Sequence, residues 1–415
     1  MKVLFVTIEP PWPIIGGTPM RSYNLIMRIA QNHEVYVACP ATVSQVAVMQ
    51  EHFGASVKRI VSVPLPPHRS LWRRAVGTLI DPAPDLAYRN FQPQLAHAIR
   101  EQLRDVAIDV VHLVGLESVG ALMGPDWAPP QAKAVLVDEV NAEHVLQQRA
   151  QRVELRQPRR WPGALYSWIQ ARKLKNYERR ALVSAGAVTS VSPGDAAILR
   201  RLAPGVAIHV VPNGVDTKLY APASSAPEGS DIVFSGTMDF RPNVDAVRWF
   251  VAEIWPAVRA AAPEARLIIV GRNPAPPVRR LAAADVIITG QVPDDLPYLQ
   301  QAAVYVVPMR FGGGSRLKLL QAMSCALPMV STTLGADGVA VTPGEQLLIA
   351  DDPDDFARAV LRLLAHPEEG ARLGVAGRKL AAAYDWDVVA EQLEAAYAAA
   401  VARADTGSAE RTPRG

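Results

Sequence analysis

Between Val304 and Gly338 the chain reads VYVVPMRFGGGSRLKLLQAMSCALPMVSTTLGADG, and no other stretch restricts the possible folds as strongly. A β-rich run ending at Pro308 leads through Gly312, Gly313 and Gly314 into a helix expected from Ser315 to about Cys325. A second strand follows at Pro328–Thr332. Strand, glycine loop, helix and strand in that order form a βαβ unit and imply a parallel sheet. The glycines let backbone come close to a ligand, and Ser315 is a natural N-cap. Arg316 and Lys318 then place two cations in the first helical turn, where the helix dipole is already positive. An anion held on the loop amides would remove that conflict, phosphate being the usual occupant. A plain glycine loop with solvated cations is the alternative.

The start of the chain repeats the pattern. Lys2–Ile8 is a near-continuous apolar run, as expected of a buried parallel strand. A turn with Gly16 and Gly17, a helix from about Pro19 to Gln31 and a strand at Glu34–Cys39 complete a second βαβ unit. Its glycine spacing is not G-x-G-x-x-G, so a dinucleotide cofactor is not indicated. Further strands are expected at Val57–Val63, Val110–Leu113, Ala134–Asp138, Ala187–Val191 and Ala207–Val211. Asp138, Glu139 and Asn141 stand at the carboxyl end of the Ala134–Asp138 strand, where open sheets place ligands. Asp138 is a candidate contact for a substrate hydroxyl, or else a helix-capping carboxylate.

With 415 residues, 49% hydrophobic and 20% charged, the chain suits two globular domains. A net charge of +3 gives no case for nucleic acid. Cys39 and Cys325 stand far apart on apolar elements, which suggests neither a disulfide framework nor a metal cluster and fits a reducing cytoplasm. The opening MKVLFVTIEPPWP reads as a short strand cut off by prolines rather than a signal peptide, and no apolar run is long enough for a membrane span. Residues 149–180 hold ten Arg or Lys against two acids, Glu154 and Glu178, interleaved with Trp161, Tyr166 and Trp168. Such a run is either a solvated face or a peripheral contact with an anionic membrane.

On these residues the chain resembles the retaining family-4 glycosyltransferases, and in particular a subgroup with G-x-G-[ST]-R-x-K before its helix. Met1–Pro19 is similar to the family's first strand and glycine turn. VVPNGVDTKLYAP resembles its interdomain signature and VFSGTMDFRPNVDAV the start of its second domain. The resemblance implies an α/β fold of GT-B type with two Rossmann-like doubly wound domains facing an interdomain cleft. The expected boundaries are an acceptor domain at 1–211, a linker at 212–230 and a nucleotide-sugar domain at 231–385. A C-terminal helix at 386–403 would cross back, ahead of a disordered tail at 404–415.

The resemblance also implies roles. Arg316, Lys318 and the amides of Gly312, Gly313, Gly314 and Ser315 would stabilise a leaving diphosphate. Gly16, Gly17, Gly236, Gly271 and Arg272 would border the donor, and Val292 the nucleobase. Relatives carry an arginine after the glycine equivalent to Gly236 and a lysine five residues further; here these are Thr237 and Pro242, with Arg241 adjacent. Relatives also use two glutamates with seven residues between them; here the positions hold Gly313 and Gln321. Gln321 can still accept bonds from ribose hydroxyls, more weakly than a carboxylate. Asp337 is a candidate contact for the donor sugar, Asp138 for catalysis, and Glu139 and Asn141 for the acceptor. A histidine common in relatives is replaced by Val140.

The expected activity is transfer of a sugar from a nucleotide-activated donor to an acceptor hydroxyl with retention, without cofactor or metal, in polysaccharide, glycolipid or glycoconjugate synthesis. The acceptor would be a glycan or lipid-linked, and the place the cytoplasm, at the inner face of the membrane if the basic stretch binds it. A nucleotide-sugar epimerase of the same fold and a weakly catalytic nucleotide-sugar binder are the alternatives.

Overall fold

The computed structural model describes residues 1–14, 16–65, 70–89, 93–123, 132–155, 161–225, 227–312 and 317–409. They form two compact units, one made of Met1–Pro212 with the chain from Trp386 onward, the other of Asn213–Asp385.

The first unit is built on seven strands: β1 (Lys2–Val6), β2 (Glu34–Pro40), β3 (Val57–Val63), β4 (Val110–Val114), β5 (Ala134–Glu139), β6 (Ala187–Ser190) and β7 (Ile208–Val210). Their order is β3-β2-β1-β4-β5-β6-β7, and every pairing is parallel. All residues of β4 and β5 are buried, because helices cover both faces of a parallel sheet; that is why these strands read as mostly apolar runs, broken by His112 in β4 and closed by Asp138 and Glu139 in β5. The helix Trp386–Ala409 belongs to this unit and fully buries Trp386 and Tyr397. It continues past 403, where the sequence reading began a disordered tail, because a helix already nucleated on packed residues adds further residues cheaply. Residues 410–415 lie outside the described residues.

The second unit holds β8 (Asp231–Ser235), β9 (Arg266–Val270), β10 (Val286–Gly290), β11 (Val304–Val307), β12 (Met329–Ser331) and β13 (Leu348–Ile349). Their order, β10-β9-β8-β11-β12-β13, repeats the winding of the first sheet, again wholly parallel. From Asn213 onward the expected linker is part of this unit. Val215 is buried and its amide donates to the Tyr384 carbonyl at 2.9 Å, and the Tyr220 carbonyl accepts from Ser324 Oγ at 2.6 Å. Apolar side chains with a core to enter override the polar, proline-containing composition beside them.

In each sheet the strand order reverses beside the first strand, between β1 and β4 and between β8 and β11. The crevice at the carboxyl ends of such a pair is where an open α/β sheet receives ligands.

Candidate active site

At the crevice of the second unit, β8 ends in Gly236 and β11 runs on to Gly312 and the helix Leu317–Ser324. Gly236 has φ 150 and Gly271, after β9, has φ 149, a region open chiefly to glycine. The two backbones also touch: a Cβ on Gly271 would lie 1.7 Å from the Gly236 carbonyl oxygen, which forbids any side chain there. The Met238 amide donates to the Arg272 carbonyl at 2.8 Å and locks the two turns together.

Lys318 reaches this place from the first turn of its helix. Its ammonium donates to Asn243 Oδ1 at 2.9 Å and stands 4.1 Å from the centre of the Phe234 ring. A Cβ on Gly236 would come within 2.7 Å of both Lys318 Nζ and Asn243 Nδ2, so the cation rests against bare backbone. Asn243 Nδ2 donates to the Thr237 carbonyl at 2.9 Å, which joins the glycine turn to the cation. Sequence reasoning missed Asn243. Its signal is a polar residue two positions after Arg241 at the start of a helix, Arg241–Trp249, where the residue is buried instead of facing water.

Of the other residues named for the donor, Arg241 stands over Phe311, its guanidinium carbon 5.9 Å from the ring centre. Gly312 is buried with φ 130. Gln321 is buried one helical turn after Lys318. Val292 follows β10 and packs against the core, while Asp337 is exposed in the turn after β12. Gly313, Gly314, Ser315 and Arg316 lie outside the described residues.

In the first unit, Gly16 (φ 111) caps the helix Gly17–Ile29, whose first turn has no acid and whose cap makes no side-chain hydrogen bond. Four residues into that helix, Arg21 is fully buried and corrects the expectation for Asp138. Arg21 Nε and Nη2 each donate to the Asp138 carboxylate at 2.8 Å, and Nη1 and Nη2 donate to the carbonyls of Pro212 and Val211 at 2.8 and 2.9 Å. Thr189 Oγ1 adds a bond of 2.7 Å to Asp138, and His112 Nε2 lies 3.5 Å away. Burial alone would raise the Asp138 pKa, yet Arg21 and His112 together hold it far below the usual carboxylate range. Burial also lowers the His112 pKa, and its Nδ1 meets the Tyr397 hydroxyl at 2.5 Å. The Asp138 carboxylate is thus engaged inside the core: it ties β5 and β6 to the first helix and, through His112, to the last one.

Glu139 also departs from its expected role of greeting an acceptor. It is fully buried, and neither carboxylate oxygen has a hydrogen-bond partner among the described residues. Burial first, and then the neighbouring charges of Glu178, Glu143, Glu117 and Asp138, push its pKa well above the ordinary value. Asn141 is half-buried and donates to Glu143 Oε1 at 3.3 Å. His144 pairs closely with the buried Glu178 carboxylate. Among the described residues no three His, Cys, Asp or Glu side chains are placed to hold a metal, and no helix is long and apolar enough to cross a membrane.

Two parallel doubly wound units of this order define an α/β protein of the GT-B type. The fold is similar to sucrose-phosphate synthase from Thermosynechococcus elongatus, with TM-score 0.69 and 18% identity over 96% of this chain and 98% of that one. It is also similar to Anabaena Alr3699/HepE in complex with UDP, with TM-score 0.64 and 13% identity over 95% and 99%. Residues 15–219 match Glycosyltransferase Family 4 and residues 229–366 match Glycosyl transferases group 1. The chain belongs to glycosyltransferase family 4. Among curated relatives it is 28% identical over 205 residues to the GDP-mannose-dependent monoacylated alpha-(1-6)-phosphatidylinositol monomannoside mannosyltransferase of Corynebacterium glutamicum, covering 44% of this chain and 54% of that protein. It is 31% identical over 202 residues to the phosphatidyl-myo-inositol mannosyltransferase of Mycobacterium tuberculosis, covering 45% and 53%. The chain thus spans about half the length of these relatives.

Proposed function

We propose that this protein transfers a glycosyl group from a nucleotide-activated sugar to an acceptor hydroxyl, with retention at the anomeric carbon. The observation that carries the reading is the Lys318 ammonium, held by Asn243 against the Gly236 turn at the crevice between β8 and β11. A diphosphate placed there meets a fixed cation, bare glycine backbone and the start of a helix. In the reaction the bond from the anomeric carbon to the diphosphate oxygen breaks as the acceptor oxygen bonds that carbon. The products are the glycoside, a nucleoside diphosphate and the proton lost by the acceptor. Charge gathers on the departing diphosphate, where a preorganised cation stabilises the transition state more than the ground state. Arg316, by its place in the sequence two residues before Lys318, is assigned the same task.

The assigned acceptor is a glycan or lipid-linked hydroxyl in polysaccharide or glycolipid synthesis, met in the cytoplasm at the inner face of the membrane. The names of two curated relatives, a phosphatidylinositol monomannoside mannosyltransferase and a phosphatidyl-myo-inositol mannosyltransferase, support that choice. Side-chain cations take the part that a metal plays in other transferases, so turnover is expected to survive a chelator. Activity lost in EDTA and restored by magnesium or manganese would overturn that assignment.

Thermal-shift screening with nucleoside diphosphates and nucleotide sugars tests the function, since a ligand that binds only the folded state raises its apparent stability. A preferred nucleotide and glycoside formation from the matching donor are expected. Epimerised sugar without acceptor would replace the transferase by an isomerase, and failure to bind any nucleotide would refute both.

A further inference from the structure

The helix Leu71–Ile80 of the first unit turns large apolar side chains to the outside. Trp72, Val76, Leu79 and Ile80 follow the i, i+4, i+7, i+8 spacing of one face, and Trp72, Leu79 and Ile80 are 76%, 74% and 73% exposed. Arg73 is exposed beside them, whereas Arg74 and Thr78 turn inward, toward Asp85 and the helix Trp161–Ser184. Arg74 bonds Asp85 at 3.0 Å and the Tyr166 hydroxyl at 3.4 Å, and Gln170 Nε2 donates to Thr78 Oγ1 at 3.1 Å. Lys173 donates to the carbonyls of Thr78, at 2.8 Å, and Asp81. Arg74 with Tyr166, Thr78 with Gln170 and Asp81 with Lys173 set the helices side by side, running the same way. Water alone gives no reason to turn Arg74 and Thr78 in while Trp72, Leu79 and Ile80 stay out.

The exposed stripe of the Trp161–Ser184 helix changes character along its length. Trp161, Leu165 and Trp168 occupy its first two turns; Arg172, Lys175 and Arg179 continue the same stripe. Glu178, the acid of this helix, is buried and engaged with His144. The Arg172 guanidinium lies 3.9 Å from the centre of the Trp168 ring. Beside them opens a cavity of about 340 Å³ lined by Gln148, Gln151, Trp168, Ala171, Arg172 and Lys175. Two cations, two amides and an indole suit a phosphate headgroup at the edge of an apolar layer.

We infer that these two helices form a membrane-docking surface for an anionic phospholipid bilayer, with Trp72, Leu79, Ile80, Trp161, Leu165 and Trp168 entering the interface and Arg172, Lys175 and Arg179 meeting headgroup phosphates. Aromatic and aliphatic side chains beside basic ones are the composition of an interfacial helix, and the charge selects anionic lipid. The inference deepens the functional reading by naming the surface that brings the protein to a lipid-linked acceptor, and rests on that reading only for the acceptor.

Cosedimentation with vesicles of phosphatidylcholine alone, and of an equal mixture with phosphatidylglycerol, tests it on the full chain. Binding to the anionic vesicles that weakens with salt is expected. Arg172→Glu/Lys175→Glu should reduce it by roughly tenfold or more, and Trp72→Ser/Leu79→Ser/Ile80→Ser by a similar factor. Nucleoside diphosphate binding, measured calorimetrically without vesicles, should stay unchanged in both variants; it also confirms that they are folded and tests the transferase reading separately. No partition of wild type into anionic vesicles overturns the inference. So does equal binding by the charge-reversal variant, or a self-associating chain that the serine substitutions make monomeric while vesicles are ignored.

Discussion

Replacing Lys318 by methionine keeps the length and apolar stem of the side chain and removes its charge. In the resting protein the loss is small. The hydrogen bond to Asn243 Oδ1 is worth about 1 kcal/mol and the contact with the Phe234 ring about 0.5–1 kcal/mol, so unfolding free energy should fall by no more than about 2 kcal/mol. In the transition state the same ammonium faces a diphosphate gaining charge. Two unit charges about 4 Å apart interact by about 4 kcal/mol at an effective dielectric of about 20. That agrees with the roughly 10²–10³ in turnover that one preorganised donor typically supplies. Lys318→Met should therefore lower kcat by roughly 10²–10³ with a modest change in thermal stability. Initial rates of nucleoside diphosphate release at saturating donor, alongside thermal melts, give both quantities. Gly236→Ala should reproduce much of the defect with Lys318 intact, because its Cβ would intrude within 2.7 Å of Lys318 Nζ and Asn243 Nδ2. Near wild-type turnover by Lys318→Met would place the leaving group elsewhere and refute the site.

Three further outcomes follow from other residues. Asp138→Asn and Arg21→Met should each destabilise the protein by about 3–5 kcal/mol, because each strands a buried partner, and their combination by less than the sum. The Asp138 pKa is depressed on folding, so its stabilisation is present above about pH 3.9 and is lost as pH falls through the folded value, which acid titration of wild type and Asp138→Asn would reveal. Glu139 is the opposite case. Its folded pKa is raised, so its contribution is fully present below about pH 4.3 and is lost as pH rises through the folded value; Glu139→Gln should lose less melting temperature than wild type between about pH 5 and pH 8, and parallel curves would contradict the assignment. Gln321→Ala should weaken nucleoside diphosphate binding by about 1 kcal/mol and Gln321→Glu should match or exceed wild type, whereas equal affinities in calorimetry would exclude contact with the ribose.

What the sequence determined by itself is what local pattern can carry. Largely apolar runs without strict alternation, such as Val110–Leu113 and Ala134–Asp138, spaced by turns and helical segments, imply strands buried on both faces, and hence parallel sheets. Arg316 and Lys318, at the start of the helix expected from Ser315, pointed to an anion in the same way, since a helix start is electrostatically legible from composition. Tertiary structure alone decided what each carboxylate and amide does. Asp138 looked available at a strand end, but Arg21, 117 residues away, claims it inside the core. Asn243 carries no mark in the sequence beyond its place two positions after Arg241, and Lys318, 75 residues later, is what gives its side chain a place in the site. Trp72, Val76 and Leu79 share one helical face in the sequence, and the direction that face takes is set by hydrogen bonds from Gln170 and Lys173 on another helix. Periodicity says that a face exists; only the partner that the fold delivers from far along the chain says which way it turns and which charge it meets.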